Sequence, residues 1–198
     1  MRRHITGLTF MISGIRTLSA VILLWAGAAS AAGWTLDALA EALQGRTADQ
    51  VRYTERRDIE YLSQPLLSEG VMRLDGGVLL KRVTAPDPET FEVRGDEVVH
   101  TDADKTETRF DIDRNPVLRG LVMTLRAVLG GDMAPLRGLF ALELSGTEQA
   151  WQLALTPRDG MLREHLRVIR LDGSGGDVRR IRIDERNGDK TVIQIEHE

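Results

Sequence analysis

The sequence predicts an α+β domain built on one antiparallel sheet of about ten or eleven short strands, with a few short helices on one face or in the sheet's mouth. Three observations carry this. Apolar residues alternate with period two through most of the chain. The alternating segments are joined by short Gly-, Asp-, Asn- or Pro-containing turns, whereas parallel pairing needs crossovers of a dozen or more residues. A single long interruption, between residues 115 and 139, has helical spacing instead.

The chain of 198 residues opens on basic residues, Arg2, Arg3 and Arg16, followed by the apolar run 18–29 and the small residues Ala29-Ser30-Ala31-Ala32. A basic segment, a short apolar core and an Ala-x-Ala site make a secretory signal peptide. The apolar core is about a dozen residues, against the roughly 20 a spanning helix needs. We therefore read 1–32 as a cleavable signal and 33–198 as the mature domain, with translation starting at Met1 or Met11. The signal holds three Arg, no Lys and no acid, so its removal takes the net charge from −4 to −7. An acidic mature chain argues against nucleic acid as a partner. There is no Cys, which excludes disulfides, thiolate metal sites and Cys nucleophiles.

The mature chain starts with apolar residues at Trp34, Leu36, Leu39, Ala40 and Leu43, spaced as a short amphipathic helix, with Thr35 or Asp37 as cap and Gly45 as its end. The period then becomes two. Val51, Tyr53, Glu55, Arg57, Ile59 and Tyr61 share one face of a strand whose other face is wholly polar. Further strands are read at 69–74, 78–83, 90–94, 97–101 and 105–112. Asp75-Gly76-Gly77 and Gly95-Asp96 form hairpin turns, where positive φ suits Gly. Asn115-Pro116 opens a helix over Val117, Leu118, Leu121, Val122, Leu125, Val128 and Leu129, ended by Gly130-Gly131. A second short helix, capped by Asp132, runs to Leu139. Strands return at 140–144 and 151–156, separated by a turn at Ser145-Gly146, and then at 165–171, 178–184 and 191–196.

Catalytic signatures are missing. Gly173-Ser174-Gly175 has neither the Lys of a phosphate loop nor the strand–elbow–helix setting of a hydrolase nucleophile. His100, His165 and His197 each lack a second ligand at close spacing, so no metal site is assigned. The carboxylates, Asp102, Asp104, Asp111 and Asp113 among them, gather at turns and solvent-facing positions. No cofactor is expected, and no enzyme. What needs explaining is the sheet's apolar face, which must be covered or used. Pattern alone leaves two readings of the 117–129 helix open: it plugs the core, or it lids a cavity for an aliphatic or polyene ligand.

The order of elements resembles the LolA outer-membrane lipoprotein carrier family over nearly the whole mature chain. The resemblance is carried by Tyr53-Thr54-Glu55, Glu69-Gly70-x-Met72, the hairpin Arg94-Gly95-Asp96-Glu97-Val98 and the helical insert Pro116–Leu129. The stretch Trp151-Gln-Leu-Ala-Leu-Thr-Pro157-Arg158 and the last hairpin, Ile181–Asp184 with Asn187-Gly-Asp189, add to it. It implies a curved, half-open antiparallel barrel with short helices as a lid. It also implies a monomeric carrier in the periplasm of a Gram-negative cell, taking lipid, lipoprotein or polyene-type acyl cargo from an inner-membrane donor to an outer-membrane acceptor. Leu118, Leu121, Val122 and Leu125 are expected as the lid face, and Met72, Leu74, Leu79, Phe91 and Phe140 as the sheet-side lining. Leu74–Leu79 departs from the family's Trp/Arg-Pro-aromatic stretch, and the arginine that latches the family's lid has no secure counterpart. These departures point to a related branch rather than the housekeeping carrier. The alternative is a periplasmic protein-binding regulator or sensor using the same half-barrel.

Overall fold

The computed structural model describes residues 33–45 and 50–197. The signal peptide expected over 1–32 lies outside the described residues. Helix α1 (Leu36–Gln44) starts where the Thr35 hydroxyl accepts a hydrogen bond from the Ala38 amide, and it buries Leu39 and Leu43. Strands β1 (Val51–Asp58), β2 (Leu66–Asp75), β3 (Val78–Ala85), β4 (Glu89–Arg94), β5 (Glu97–Thr101) and β6 (Glu107–Asp111) follow as a meander. A 3-10 turn (Ile112–Arg114), α2 (Pro116–Gly130) and α3 (Ala134–Leu139) interrupt it. Then come β7 (Phe140–Thr147), β8 (Ala150–Pro157), helix α4 (Gly160–His165), β9 (Leu166–Ser174), β10 (Asp177–Glu185) and β11 (Lys190–Glu196).

All eleven strands form one antiparallel sheet in the order β6-β5-β4-β3-β2-β1-β11-β10-β9-β8-β7, curved and unclosed. The first and last strands pair in the middle, Tyr53 opposite Ile195 and Glu55 opposite Ile193. The two edges, β6 and β7, are therefore consecutive in sequence, joined by residues 112–139. A flat sheet of this width would hold them about 48 Å apart. The one long rigid piece of the link, α2, spans about 22 Å, and α3 packs back against it. The curl of the sheet is what lets this link close across its inner face.

The inner face is apolar, with Val51, Met72, Val93, Val98, Leu153, Ile181 and Ile193 all buried. The outer face is polar, and cross-strand pairs such as Arg182–Asp172 at 2.9 Å lie half-exposed there. Asn115 caps α2 by accepting from the Leu118 amide, Pro116 occupies its first turn, and Gly131 at φ 71° ends it against Gln44.

Several boundaries differ from the sequence reading. The first strand stops at Asp58, leaving Ile59 and Tyr61 outside it, with Tyr61 88% exposed. The third, fourth and seventh to eleventh strands are each longer by one to three residues than their patterns suggested. The chain turns at Glu148-Gln149, not at Ser145-Gly146. Gly146 sits within β7 at φ 93°, where a Cβ would come within 2.2 Å of the Ala150 carbonyl oxygen. Helix α4 was not read at all. Its single buried residue is Leu162, too little to mark a helical period over six residues.

Gly70, in the second motif quoted above, is required by contact rather than by dihedral angle. It follows an irregularity in the β2–β3 pairing, and a Cβ there would lie 1.9 Å from the Arg82 carbonyl oxygen. Backbone cannot yield as a side chain does. Gly70→Ala is expected to lower stability by about 1–3 kcal/mol or more, read as a lower urea midpoint. An unchanged midpoint would contradict this packing.

Candidate functional site

Helix α2 is amphipathic on two sides. Gly120 faces Phe140, Leu162 and Leu166, each close enough to touch an added Cβ. Thr124, wholly buried one turn on, keeps its hydroxyl satisfied by donating to the Gly120 carbonyl at 2.8 Å. The other side presents Leu118, Leu121, Val122 and Leu125, the i, i+3, i+4, i+7 stripe. These four line a cavity of about 540 Å³ between helix and sheet, within the roughly 300–1,000 Å³ usual for ligand pockets. Opposite them stand Leu79 of β3, Phe91 and Val93 of β4 and Val98 of β5.

All four proposed lid residues thus lie on the cavity, as do Leu79 and Phe91 from the sheet. Met72, Leu74 and Phe140 are not among the lining residues. Met72 and Phe140 are packed in the core, Phe140 under Gly120, and Leu74 meets the C-terminal end of α2 at Gly130.

The helix is also tied to the sheet by a polar contact. The Arg126 guanidinium donates from Nη2 to the carbonyls of Val93 (3.2 Å) and Gly95 (2.9 Å) in the β4–β5 hairpin. This arginine was missed in the sequence, because a lone Arg in an apolar helix gives no sign of what it reaches.

One part of the cavity is charged. Glu55, Arg57, Lys81, Arg114, His165 and Glu185 all contribute to its lining. Glu55 and Lys81 form an ion pair, with side chains 10% and 20% exposed. Lys81 Nζ lies 4.9 Å from the centre of the Tyr53 ring and 6.0 Å from that of Phe91. Phe91 stacks in turn on His100, centroids 4.4 Å apart, and His100 Nε2 is 3.1 Å from a Glu89 carboxylate oxygen. Among the described residues no group of three His, Asp or Glu is placed to hold a metal ion, and no helix is long and apolar enough to cross a membrane.

Glu185 titrates abnormally. Burial pushes its carboxyl up, the Asp189 carboxylate adds to this, and Arg57 and His165 pull the other way. The folded protein therefore holds this proton more tightly than the unfolded chain does. Stability tied to this group is present in acid and is lost as pH rises through the carboxylate range. Glu185→Gln is expected to melt a few degrees higher than wild type at pH 7, with the gap closing below about pH 4. Calorimetry across that range checks it, and a gap that widened in acid would contradict the assignment.

A family model described as outer membrane lipoprotein carrier protein LolA-like matches residues 26–195. No curated protein matches the chain. Among solved structures, a LolA superfamily protein, NE2245 from Nitrosomonas europaea, is 12% identical with a TM-score of 0.44, over 82% of this chain and 92% of that one. A chain of the Pseudomonas aeruginosa MucA/MucB complex is 17% identical with a TM-score of 0.41, over 81% of this chain and 53% of that one. A DUF1329 family protein from Desulfovibrio piger is 14% identical with a TM-score of 0.41, over 81% and 89%.

Proposed function

The chain belongs to the family of LolA-like outer membrane lipoprotein carrier proteins, and from that premise we propose that it is a periplasmic, non-enzymatic carrier of acylated or otherwise lipidic cargo. In this reading residues 1–32 export the protein and are removed. Residues 33–198 then move cargo from an inner-membrane donor to an outer-membrane acceptor. The observation that carries the reading is the cavity between α2 and the sheet, with Leu118, Leu121, Val122 and Leu125 facing Leu79, Phe91, Val93 and Val98.

The physics of transfer suits such a site. Each buried methylene contributes about 0.8 kcal/mol, so shielding half a dozen is worth about 5 kcal/mol. A chain exposed to water between membranes would forgo that. The carrier must also release its cargo. Helix α2 packs on the sheet and is tied by Arg126, so cargo that parts the two works against these contacts. That competition keeps affinity moderate.

The test is native mass spectrometry, with organic extraction, of the exported protein recovered from its native host. An acyl or polyene species bound one to one is the expected result, and it names the cargo. A protein that is recovered empty and binds no acyl probe overturns the reading. Attention would then pass to a protein partner, as in a regulator built on the same fold.

A further inference from the structure

The charged part of the cavity bears on what head the cargo carries. A pocket for hydrocarbon alone has no use for Glu55 and Lys81. Ion pairs this withdrawn from water are weak contributors to stability, and apolar replacements are often neutral or better. Here the pair reaches across β2, since Glu55 belongs to β1 and Lys81 to β3. Lys81 stands opposite Met72 of β2, and the inward positions that separate it from Glu55 along that strand are Gly70, opposite Tyr53, and Ser68, opposite Glu55 itself. Both are small, which leaves room for the two long side chains to meet over them.

The state of the lysine is specific. An ammonium has three N–H donors, and Glu55 is the hydrogen-bond acceptor found for it among the described residues. The rings of Tyr53 and Phe91 stabilise the charge through their faces without supplying an oxygen. Lys81 is thus positioned, partly desolvated and able to bond a second acceptor.

The sign of the lining points the same way. Lys81, Arg57 and Arg114 face Glu55 and Glu185 in the cavity, a positive balance inside a chain whose net charge is −4.

Building on the carrier reading, we propose that the cargo is an amphiphile with an anionic head, a carboxylate or phosphate, and that Lys81 binds that head while Glu55 holds the lysine in place when the cavity is empty. The apolar tail lies against Leu118, Leu121, Val122 and Leu125. Arriving cargo shares or displaces the Glu55 contact.

Isothermal titration of the exported protein with four sixteen-carbon probes below their micelle concentrations tests this. The probes are palmitate, hexadecyl phosphate, methyl palmitate and hexadecylamine. At least one anionic probe is expected to bind about tenfold or more tighter than the ester, the scale of a charge-assisted hydrogen bond. Which anion binds tighter identifies the head. Lys81→Met should bring the anions down to the ester's affinity while ester binding persists, and Lys81→Arg should keep the preference. Glu55→Gln should raise affinity for the anions severalfold and leave the ester unchanged. Should Lys81→Met fold poorly around an unpaired Glu55, the double variant Glu55→Gln/Lys81→Met removes both charges and is expected to show the same loss of preference. Equal binding of anions and ester by wild type, a preference for the amine, or a preference that survives loss of Lys81 overturns the head assignment and leaves the carrier reading standing. Failure of all four probes to bind overturns the carrier reading itself, and the head assignment with it.

Discussion

Replacing Leu118 and Leu121 together by Asp is expected to abolish binding of acyl probes, weakening it by at least a hundredfold, while the protein stays folded. Both leucines line the cavity. Both are only half-buried, unlike Val122 and Leu125, which are 3% exposed and belong to the core. In the empty protein the new carboxylates keep a route to water. Cargo would close that route and strand two charges against hydrocarbon, a cost of several kcal/mol. About 2.8 kcal/mol already corresponds to a hundredfold. Leu118→Met/Leu121→Met, similar in volume and apolar, should retain binding. The measurement is titration with methyl palmitate, beside a circular dichroism spectrum of each variant. Wild-type affinity in a well-folded double Asp variant would mean that α2 does not line the cargo site.

Trp151→Ala is expected to cost the most stability of any single change considered, about 3–5 kcal/mol. In a domain of this size that is a fall in Tm of roughly 6 to 20 °C. Trp151 stands in β8 in register with Gly146 of β7 on one side and Gly173 of β9 on the other. It is 2% exposed, and its indole fills the space a side chain at Gly173 would need, within 2.3 Å of a Cβ built there. Its Nε1 donates to the Gly175 carbonyl at 2.9 Å. Two glycines and a tryptophan therefore form one packing unit across three strands. Alanine leaves a cavity that no neighbour can fill, because the flanking positions have no side chains to move. Trp151 does not line the ligand cavity, so acyl binding below the lowered Tm should match wild type. A melting point within a degree or two of wild type would show that this unit is not what holds β7, β8 and β9 together.

Much of the fold is written in local pattern. Period two over residues 51–58 and 191–196 identifies half-buried strands because strand side chains alternate faces whatever lies beyond them. Asn115, Pro116 and Gly131 mark the ends of α2, since a cap, a first-turn proline and a left-handed C-terminal glycine act within a few residues. The stripe Leu118, Leu121, Val122 and Leu125 follows from the same local geometry, and all four residues do share the cavity. Where glycine was read only as punctuation, the reading slipped. Gly146 serves a close approach inside β7, and the chain turns two residues later.

What the local pattern could not contain is which inward residues face a cavity and which face packed core. Met72, Leu79 and Phe140 all point inward and are all nearly inaccessible. Only the placement of α2 over the sheet puts Leu79 on the cavity and Phe140 beneath Gly120. The meeting of Glu55 with Lys81 is of the same kind. Each residue's face is legible from alternation, but their contact depends on two strand registers and on Ser68 and Gly70 being small between them. By itself the sequence determined the strands, the turns, the long helix and its apolar stripe, because these rest on interactions a few residues long. The cavity, its charged end and the Arg126 tie were decided by tertiary structure, because each joins residues 26 or more apart that only the curl of the sheet and the crossing of α2 bring together.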